Sequence, residues 1–354
     1  MKNSTTRINL IARPVKNSNS AVFRVRRPGP LTTVQDLGRN GYQSQGVRVC
    51  GAADEYSHRV ANALVGNSGE LPTLEFAMFG PELTTLRNCT LAYYGADFDF
   101  KINNVVAPYG RPIRVEAKST LSFNQSKSGM FAYLSVAGGF KIDPIMGSSA
   151  TDITSDFPGL LGRRLMKGDL IDQFHEVTKP EFMEEKVSFI QNGFWAPLWS
   201  VRPLIESWWN NEKLIRFIPN ENWFSLNRAD RDQFLSARYV VHADSNRMGI
   251  RFSGDSITLK RPENTQSRPV TFGSIQVPPN GQPIVLSVDR QSIGGYPTLG
   301  EVISIDRSML VQLCPGDEVK FAEFDLENAQ SALLSEAHQH KLLFDSIKNR
   351  LREM

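Results

Sequence analysis

The sequence predicts an all-β protein with a few helices, built from two β-rich halves. Short runs rich in Val, Ile, Phe, Tyr and Thr alternate with clusters of Gly, Pro, Asn and Asp, which is the pattern of strands separated by turns. Strands and long helices do not alternate, so the pattern argues against a parallel α/β sheet. A chain of 354 residues exceeds one ordinary core, so two packed units of barrel or sandwich type are expected.

The chain divides into five predicted segments. Residues 1–22 are polar and are expected to form a flexible tail, and residues 23–175 form the first half. Residues 176–211 hold four tryptophans among prolines and charges and are predicted to be an irregular linker. Residues 212–322 form the second half, and residues 323–354 form a terminal helix. Tryptophans that pack the linker against the halves are favoured over a partner-binding surface.

The predicted strands occur in both halves. Each combines β-branched and aromatic residues and is bounded by turn residues. The clearest are residues 90–94, 131–136, 216–218, 239–241, 284–288 and 301–305.

Three segments have the spacing of helices. Residues 54–65 place their apolar side chains on one side and end before Gly66, a residue that favours a helix stop. Residues 227–236 are short and polar, with Asn227 as the N-cap. Residues 326–352 repeat leucines at roughly helical spacing and are predicted to pack as a terminal helix.

Composition excludes several classes of function. The net charge is +3, from 40 basic and 37 acidic residues, and the basic residues are scattered, so nucleic acid is not an expected partner. The three cysteines lie far apart and the histidines form no metal-ligand array, so no metal site is predicted. No apolar run is long enough to span a bilayer, and the start lacks an apolar signal stretch, so a cytoplasmic protein without membrane contact is expected.

Two polar groups in the first half are candidates for catalysis. Gln35, Asp36 and Arg39 lie within one glycine-flanked turn, where Arg39 could hold a carboxylate or phosphate. The alternative is a surface turn with a local ion pair. Glu75 lies in an apolar stretch, and Asp97 follows a strand and a Gly-Ala corner, so the two carboxylates could share acid and base roles. The alternative is that Glu75 faces solvent and Asp97 only caps a turn.

Further polar turns follow along the chain. Gly-rich corners at residues 136–139 and 147–152 could present N–H donors to an anion, although ordinary β-turns use the same residues. Neither a Walker A pattern nor GxGxxG occurs. The segments 245–251, 273–278 and 289–297 each join a strand to a turn that carries Arg, Gln or Asp. The candidates for substrate binding from these segments are Gln276, Asp289, Arg290, Gln291, Gly294, Gly295 and Tyr296.

Taken together, these motifs resemble one family. In order they are TTVQDLGRNGY, GAAD, ANALVGN, LEF, YYGAD, LSVAGGF, GSSATD, GRRLMKGD, SNRMGIRFSG, GSIQVPPNGQPI, DRQSIGGYP and PGDEV. The family comprises the C subunit of 5-oxoprolinase (the KipA-type proteins), allophanate hydrolase subunit 2 and the carboxyltransferase domain of urea carboxylase. The resemblance covers about residues 23 to 321. It implies a cyclophilin-like fold with two β-barrel-type subdomains.

The resemblance also implies an activity. The chain would belong to an ATP-dependent 5-oxoprolinase complex, with ATP and Mg²⁺ as cofactors and a KipI-type B component and an A component as partners. Arg39 or Arg290 would hold an anion, a carboxylate among Asp36, Glu75 and Asp97 would act as base, and the glutamines would hold the lactam. Two alternatives stay open. One is carboxyl transfer to urea or allophanate with biotin on a separate carrier, and the other is a non-catalytic antagonist of a KipI-type inhibitor.

Overall fold

A computed structural model describes residues 18, 20–156, 159–174, 187–202, 212–258 and 267–354, with only the backbone of residues 187–191. Strands hold 35% of the residues and helices 21%, so the predicted all-β class with a few helices is confirmed. Two predicted segments lie partly outside the described residues. They are the tail, at residues 1–17 and 19, and the linker, at positions that include Trp208 and Trp209.

The first half is built on a large antiparallel sheet. Two long strands dominate it, because β5 (Cys89–Ile102) and β8 (Thr120–Val136) pair along most of their length. Aromatic side chains fill the core beside them, and the rings of Phe100 and Phe123 stack with centroids 4.2 Å apart. The other strands of this sheet are β1 (Ala21–Arg27), β2 (Thr32–Gln35), β3 (Thr73–Ala77), β4 (Glu82–Thr85), β6 (Val105–Val106), β7 (Ile113–Val115), β9 (Leu170–Asp172), β10 (Val187–Gln191) and β11 (Phe194–Pro197).

The second half closes as a seven-stranded barrel within the described residues. Closure leaves these strands without a free edge, because β12 pairs in parallel with β20. Phe217, Trp223, Phe234 and Phe321 pack edge to face or stacked in the barrel core. The barrel strands are β12 (Leu214–Pro219), β13 (Tyr239–Val241), β14 (Gly249–Ser253), β16 (Ser274–Gln276), β17 (Ile284–Leu286), β19 (Thr298–Val302) and β20 (Glu318–Glu323), and β15 (Arg268–Pro269) pairs separately with β18 (Ile293–Gly294).

The three predicted helices are present, and two further short helices were not predicted. The side chain of Asp54 accepts a hydrogen bond from the Ser57 amide at the start of the first helix, and Asn227 caps the third in the same way. Gly66 lies just past the first helix with φ of 75°, the left-handed conformation that ends many helices. The helices are α1 (Glu55–Leu64), α2 (Glu221–Ser225), α3 (Arg228–Ser236), α4 (Arg307–Gln312) and α5 (Leu326–Arg352).

The two halves share one apolar cluster. Residues of α1, such as Val60 and Leu64, pack in the same cluster as Leu310 of α4 and Ile347 of α5. Part of the predicted linker joins the first sheet, because β10 pairs with β11, and β11 pairs with β7. There Trp195 lies 4.6 Å from the guanidinium of Arg114. The limits of the five segments otherwise stay a prediction.

Candidate active site between the two halves

A cleft of about 420 Å³ lies where the two halves and the terminal helix meet. Its floor is made of small side chains, because Cys50, Ala52 and Ala53 occupy the loop that leads into α1. One wall belongs to the first half, the opposite wall to the second half, and α5 contributes one side. Its polar lining residues are Asp36, Asn40, Gln43, Glu55, Arg59, Arg290, Ser304, Arg307, Ser308, Glu336 and His340.

Asp36 is held rigidly at the edge of this cleft. It follows β2, and its carboxylate accepts hydrogen bonds from the Gly38 amide at 2.8 Å, the Ser148 hydroxyl at 2.7 Å and the Ser149 amide at 2.5 Å. The turn requires glycine at position 38, where φ is 84° and a Cβ would lie 2.6 Å from the Cys50 carbonyl oxygen. The Asp36 turn therefore packs directly against the loop that forms the floor.

Arg39 and Gln35, which belong to the same motif as Asp36, do not line the cleft. Arg39 is 1% exposed, and its guanidinium donates to the carbonyl oxygens of Ile145 and Ala150. Gln35 is fully buried and donates to the hydroxyl of Thr33. Neither side chain is among the residues that line the cleft. This geometry favours a structural role for both, and their predicted roles in catalysis and substrate binding stay predictions.

A buried charged cluster lies directly behind the floor. Arg247 of the second half contacts Glu75 of β3 and makes two hydrogen bonds to Asp289, at 2.7 and 2.9 Å. The Nη2 of the same guanidinium, which also donates to Asp289, donates to the Gly51 carbonyl oxygen at 2.7 Å. Glu75, Arg247 and Asp289 are 2%, 7% and 8% exposed, so the three charges interact with little screening by water. Two sequence candidates from different halves, Glu75 and Asp289, thus meet through one arginine.

The cluster continues into the α1–α4 contact. Glu75 accepts hydrogen bonds from the Ala53 amide and the Tyr133 hydroxyl, both at 2.8 Å. The Tyr133 oxygen in turn accepts from the amide of Asp54 at 2.7 Å, and Gln312 of α4 donates to the Asp54 carboxylate at 2.7 Å. The floor loop from Gly51 to Asp54 is therefore positioned by hydrogen bonds from both halves.

Burial controls protonation within the cluster. It raises the pKa of Glu75, and the charge of Arg247 opposes that rise. Burial lowers the pKa of Arg247, but Asp289 and Glu75 outweigh burial and hold the pKa well above its ordinary value. Burial and the nearby Asp289 raise the pKa of the Cys50 thiol. Cys50 is thus a neutral thiol at the cleft floor, without the thiolate character that a nucleophile needs.

The chain matches the model of one protein family, described as the carboxyltransferase domain, subdomains A and B, over residues 45–323. It is also 32% identical to the C subunit of 5-oxoprolinase from Escherichia coli over 311 residues, which cover 88% of this chain and 94% of that protein. The corresponding Haemophilus influenzae protein is likewise 32% identical, over 84% of this chain and 89% of the relative. The chain belongs to the carboxyltransferase family. The resemblance inferred from the motif order is confirmed.

Solved structures of the family share the fold. The urea carboxylase of Kluyveromyces lactis superimposes with a TM-score of 0.79 at 26% identity, and the match covers 94% of this chain but 30% of that one. The urea amidolyase of the same yeast gives a TM-score of 0.78 at 27% identity, over 94% of this chain and 20% of that one. The chain therefore spans less than a third of these larger urea enzymes.

The remaining sequence candidates lie outside the lining of the cleft. Asp97 pairs with Ser128 between β5 and β8, on the first sheet. Gln276 is buried against Gly294, where a Cβ would lie 2.3 Å from its amide nitrogen, and Gly295 and Tyr296 follow β18. Of the sequence candidates, Asp36 and Arg290 line the cleft, Glu75 and Asp289 lie behind it, and Gln291 directly follows Arg290.

Two arginines at or behind the cleft are not among the sequence candidates. Arg247 lies in the segment 245–251, which was noted as a polar turn, but nothing local distinguishes it from Arg251 of the same segment. Arg307 begins α4 and had no motif around it. Its position after Glu301 and Asp306 resembles an ordinary exposed helix start, so only the packing of α4 against the first half identifies it.

The Gly-rich corner that was a candidate for binding an anion lies outside the lining of this cleft. In the Gly-rich corner at residues 147–152, the Ser148 hydroxyl and the Ser149 amide donate hydrogen bonds to Asp36. These donors are therefore not presented to a phosphate. Lys167 lies in a turn before β9, as the sequence indicates, and not in the cleft. ATP with Mg²⁺, and biotin on a separate carrier, stay predictions. In the part of the chain that the structure describes, no helix is both long and apolar enough to cross a membrane.

Proposed function

We propose that this chain belongs to an ATP-dependent 5-oxoprolinase complex, which converts 5-oxo-L-proline to L-glutamate, and that its partners there are a KipI-type B component and an A component. The observation that carries the proposal is the match over 94% of the length of the C subunit of E. coli 5-oxoprolinase. By contrast, the match covers only 17% of the length of the Saccharomyces cerevisiae urea amidolyase.

The cleft is where we propose that this chain handles the lactam. Opening a stable amide requires that charge developing on its oxygen be stabilised in a site largely shielded from water. Asp36 and Arg290 line the cleft from different halves, and small residues form its floor. Glu75, Arg247 and Asp289 act in this proposal as positioning residues, because their contacts hold the floor loop through Gly51 and Ala53.

Reconstitution tests this proposal. L-glutamate release from 5-oxo-L-proline should require ATP, this chain and the A and B components together, and the chain by itself should show no turnover. Heat-denatured chain added to the A and B components is the matched control. Turnover by the isolated chain, or full turnover by the A and B components without it, would contradict membership of the complex.

Biotin-dependent carboxyl transfer is the second candidate. It is supported by the superposition of 94% of this chain on the K. lactis urea carboxylase. The same preparation, given urea, bicarbonate, ATP, a biotin carboxylase and a biotinylated carrier, would then form carboxylated urea. If neither reaction occurs but the chain binds a KipI-type protein tightly, the non-catalytic antagonist is favoured.

A further inference from the structure

Two arginines line the cleft without a carboxylate in direct contact among the described residues. Arg290 and Arg307 both line it, and within the described residues neither has an ion pair shorter than 4 Å. The Nε–H of each is buried and has no hydrogen-bond partner in the described part of the chain. The contacts they do make are weak. Arg290 donates to the Ser287 carbonyl oxygen at 3.4 Å, and Arg307 lies 5.2 Å from the ring of Phe272.

Glu301 and Glu55 attract these arginines from a distance but form their direct contacts with other groups. Both oxygens of Glu301 accept hydrogen bonds, from Thr271 at 2.5 Å and from Ser274 at 2.7 Å. Glu55 is paired with Arg59 at 2.8 Å. Glu336 of α5 lines the same cleft without an ion pair to either arginine among the described residues.

A largely buried guanidinium that has no direct ion pair is energetically unfavourable. Arginine does not lose its proton in proteins, so it cannot escape the cost of burial by becoming neutral. Burial lowers the pKa of both groups, and Arg307 lowers that of Arg290 further, as expected for two cations close together. The charge of Glu301 opposes this fall in both pKa values but does not cancel it. An anion bound between them would relieve both effects.

The geometry favours a small carboxylate as that anion. A guanidinium presents its N–H donors as a planar fork that matches the two oxygens of a carboxylate. The cleft holds about 420 Å³ and has a floor of small side chains, which suits a small molecule. The hydroxyl of Ser304 lines the same wall as Arg307 and can donate a further hydrogen bond.

We infer that Arg290 and Arg307 form a carboxylate-binding subsite of the cleft, which anchors the acid group of a small substrate. The inference rests on the proposed function, because the lactam acid of that reaction carries one carboxylate beside its amide. The subsite would distinguish a lactam acid from urea, which has no carboxylate.

Four probes separate the carboxylate from the lactam. They are 5-oxo-L-proline, which has both groups, 2-pyrrolidinone, which has the lactam alone, cyclopentanecarboxylate, which has the acid alone, and inorganic phosphate. With the full chain, calorimetry should show binding of the two carboxylates and at least about tenfold weaker binding of 2-pyrrolidinone. This series uses the unmodified chain, so it tests whether the cleft binds the carboxylate even where a variant fails to fold.

Variants locate the binding. Arg290→Gln or Arg307→Gln should weaken the binding of 5-oxo-L-proline by at least about tenfold. Arg238→Gln is the matched control, because it removes an exposed arginine paired with Glu318 and should leave the Kd unchanged. Without ligand, Arg307→Gln should melt at the same temperature as the parent or higher, because it removes a cation that lacks a partner. A merely structural arginine would instead lower the melting temperature.

Each contrary result has a distinct meaning. Equal affinity for 5-oxo-L-proline and 2-pyrrolidinone, no binding of either acid, or no effect of both substitutions would overturn the subsite. Phosphate that binds more tightly than either carboxylate would assign the arginines to a phosphate and overturn the carboxylate assignment. Carboxylate binding that depends on Arg290 and Arg307, together with no glutamate formation by the reconstituted complex, would uphold the subsite and reject the proposed function.

Discussion

Replacement of Arg247 by methionine tests whether the buried charged cluster holds the two halves together. Met has a similar length and no charge, so the substitution removes the contacts to Glu75 and Asp289 while retaining much of the packing. It also removes the hydrogen bond to the Gly51 carbonyl oxygen of the floor loop.

The expected loss of stability is set by the two carboxylates left behind. Glu75 and Asp289 are 2% and 8% exposed, so without Arg247 their charges are buried and unpaired. Removing one partner of a buried ion pair costs about 3–5 kcal/mol, and we expect about 4 kcal/mol here. Exposed Arg238, which pairs with Glu318 at 3.3 Å, should lose less than about 1 kcal/mol when replaced by methionine.

Urea unfolding followed by tryptophan fluorescence, to which buried Trp223 contributes, measures both losses. Adding Glu75→Gln to Arg247→Met should cost less than the sum of the two single changes, with a coupling of at least about 1 kcal/mol. Two results would contradict a role of this cluster in holding the halves together. One is that Arg247→Met lowers the free energy of unfolding no more than Arg238→Met does, and the other is that the losses from Glu75→Gln and Arg247→Met are additive.

Two further predictions concern buried groups of the first half. Arg39→Ala should lower the free energy of unfolding by roughly 2–4 kcal/mol, because it leaves the buried Ala150 carbonyl oxygen without this donor and opens a cavity; reduced turnover with unchanged stability would instead support the anion-binding role inferred from the sequence. Burial lowers the pKa of His58 from 6.5 to about 4, so between these values the unfolded state binds a proton that the native state does not. Stability from the neutral ring is therefore complete above about pH 6.5 and falls by roughly 3 kcal/mol towards pH 4. In His58→Gln this part of the slope should vanish, and an unchanged slope in unfolding curves from pH 4.5 to 7 would assign it to other groups.

Local sequence signals predicted most of the fold. Strand and turn residues alternate on the scale of a few positions, and Asp54, Asn227 and Gly66 mark helix ends through bonds to residues within one turn. The joining of residues 187–197 to the first sheet was not predicted, because the pairing of β11 with β7 depends on a strand far earlier in the chain.

The candidate site was predicted only in part, for a related reason. Motif order identified the family, and residue type identified Asp36, Glu75, Asp289 and Arg290 as chemically interesting, since both properties can be read from the amino acids alone. Which of them meet was decided by the packing of the halves, which brings Glu75 against Arg247 across 172 positions. Packing within the first half buried Arg39 under backbone carbonyls. A guanidinium has the same chemistry in a motif whether it faces a ligand or a carbonyl, and only the tertiary structure determines which.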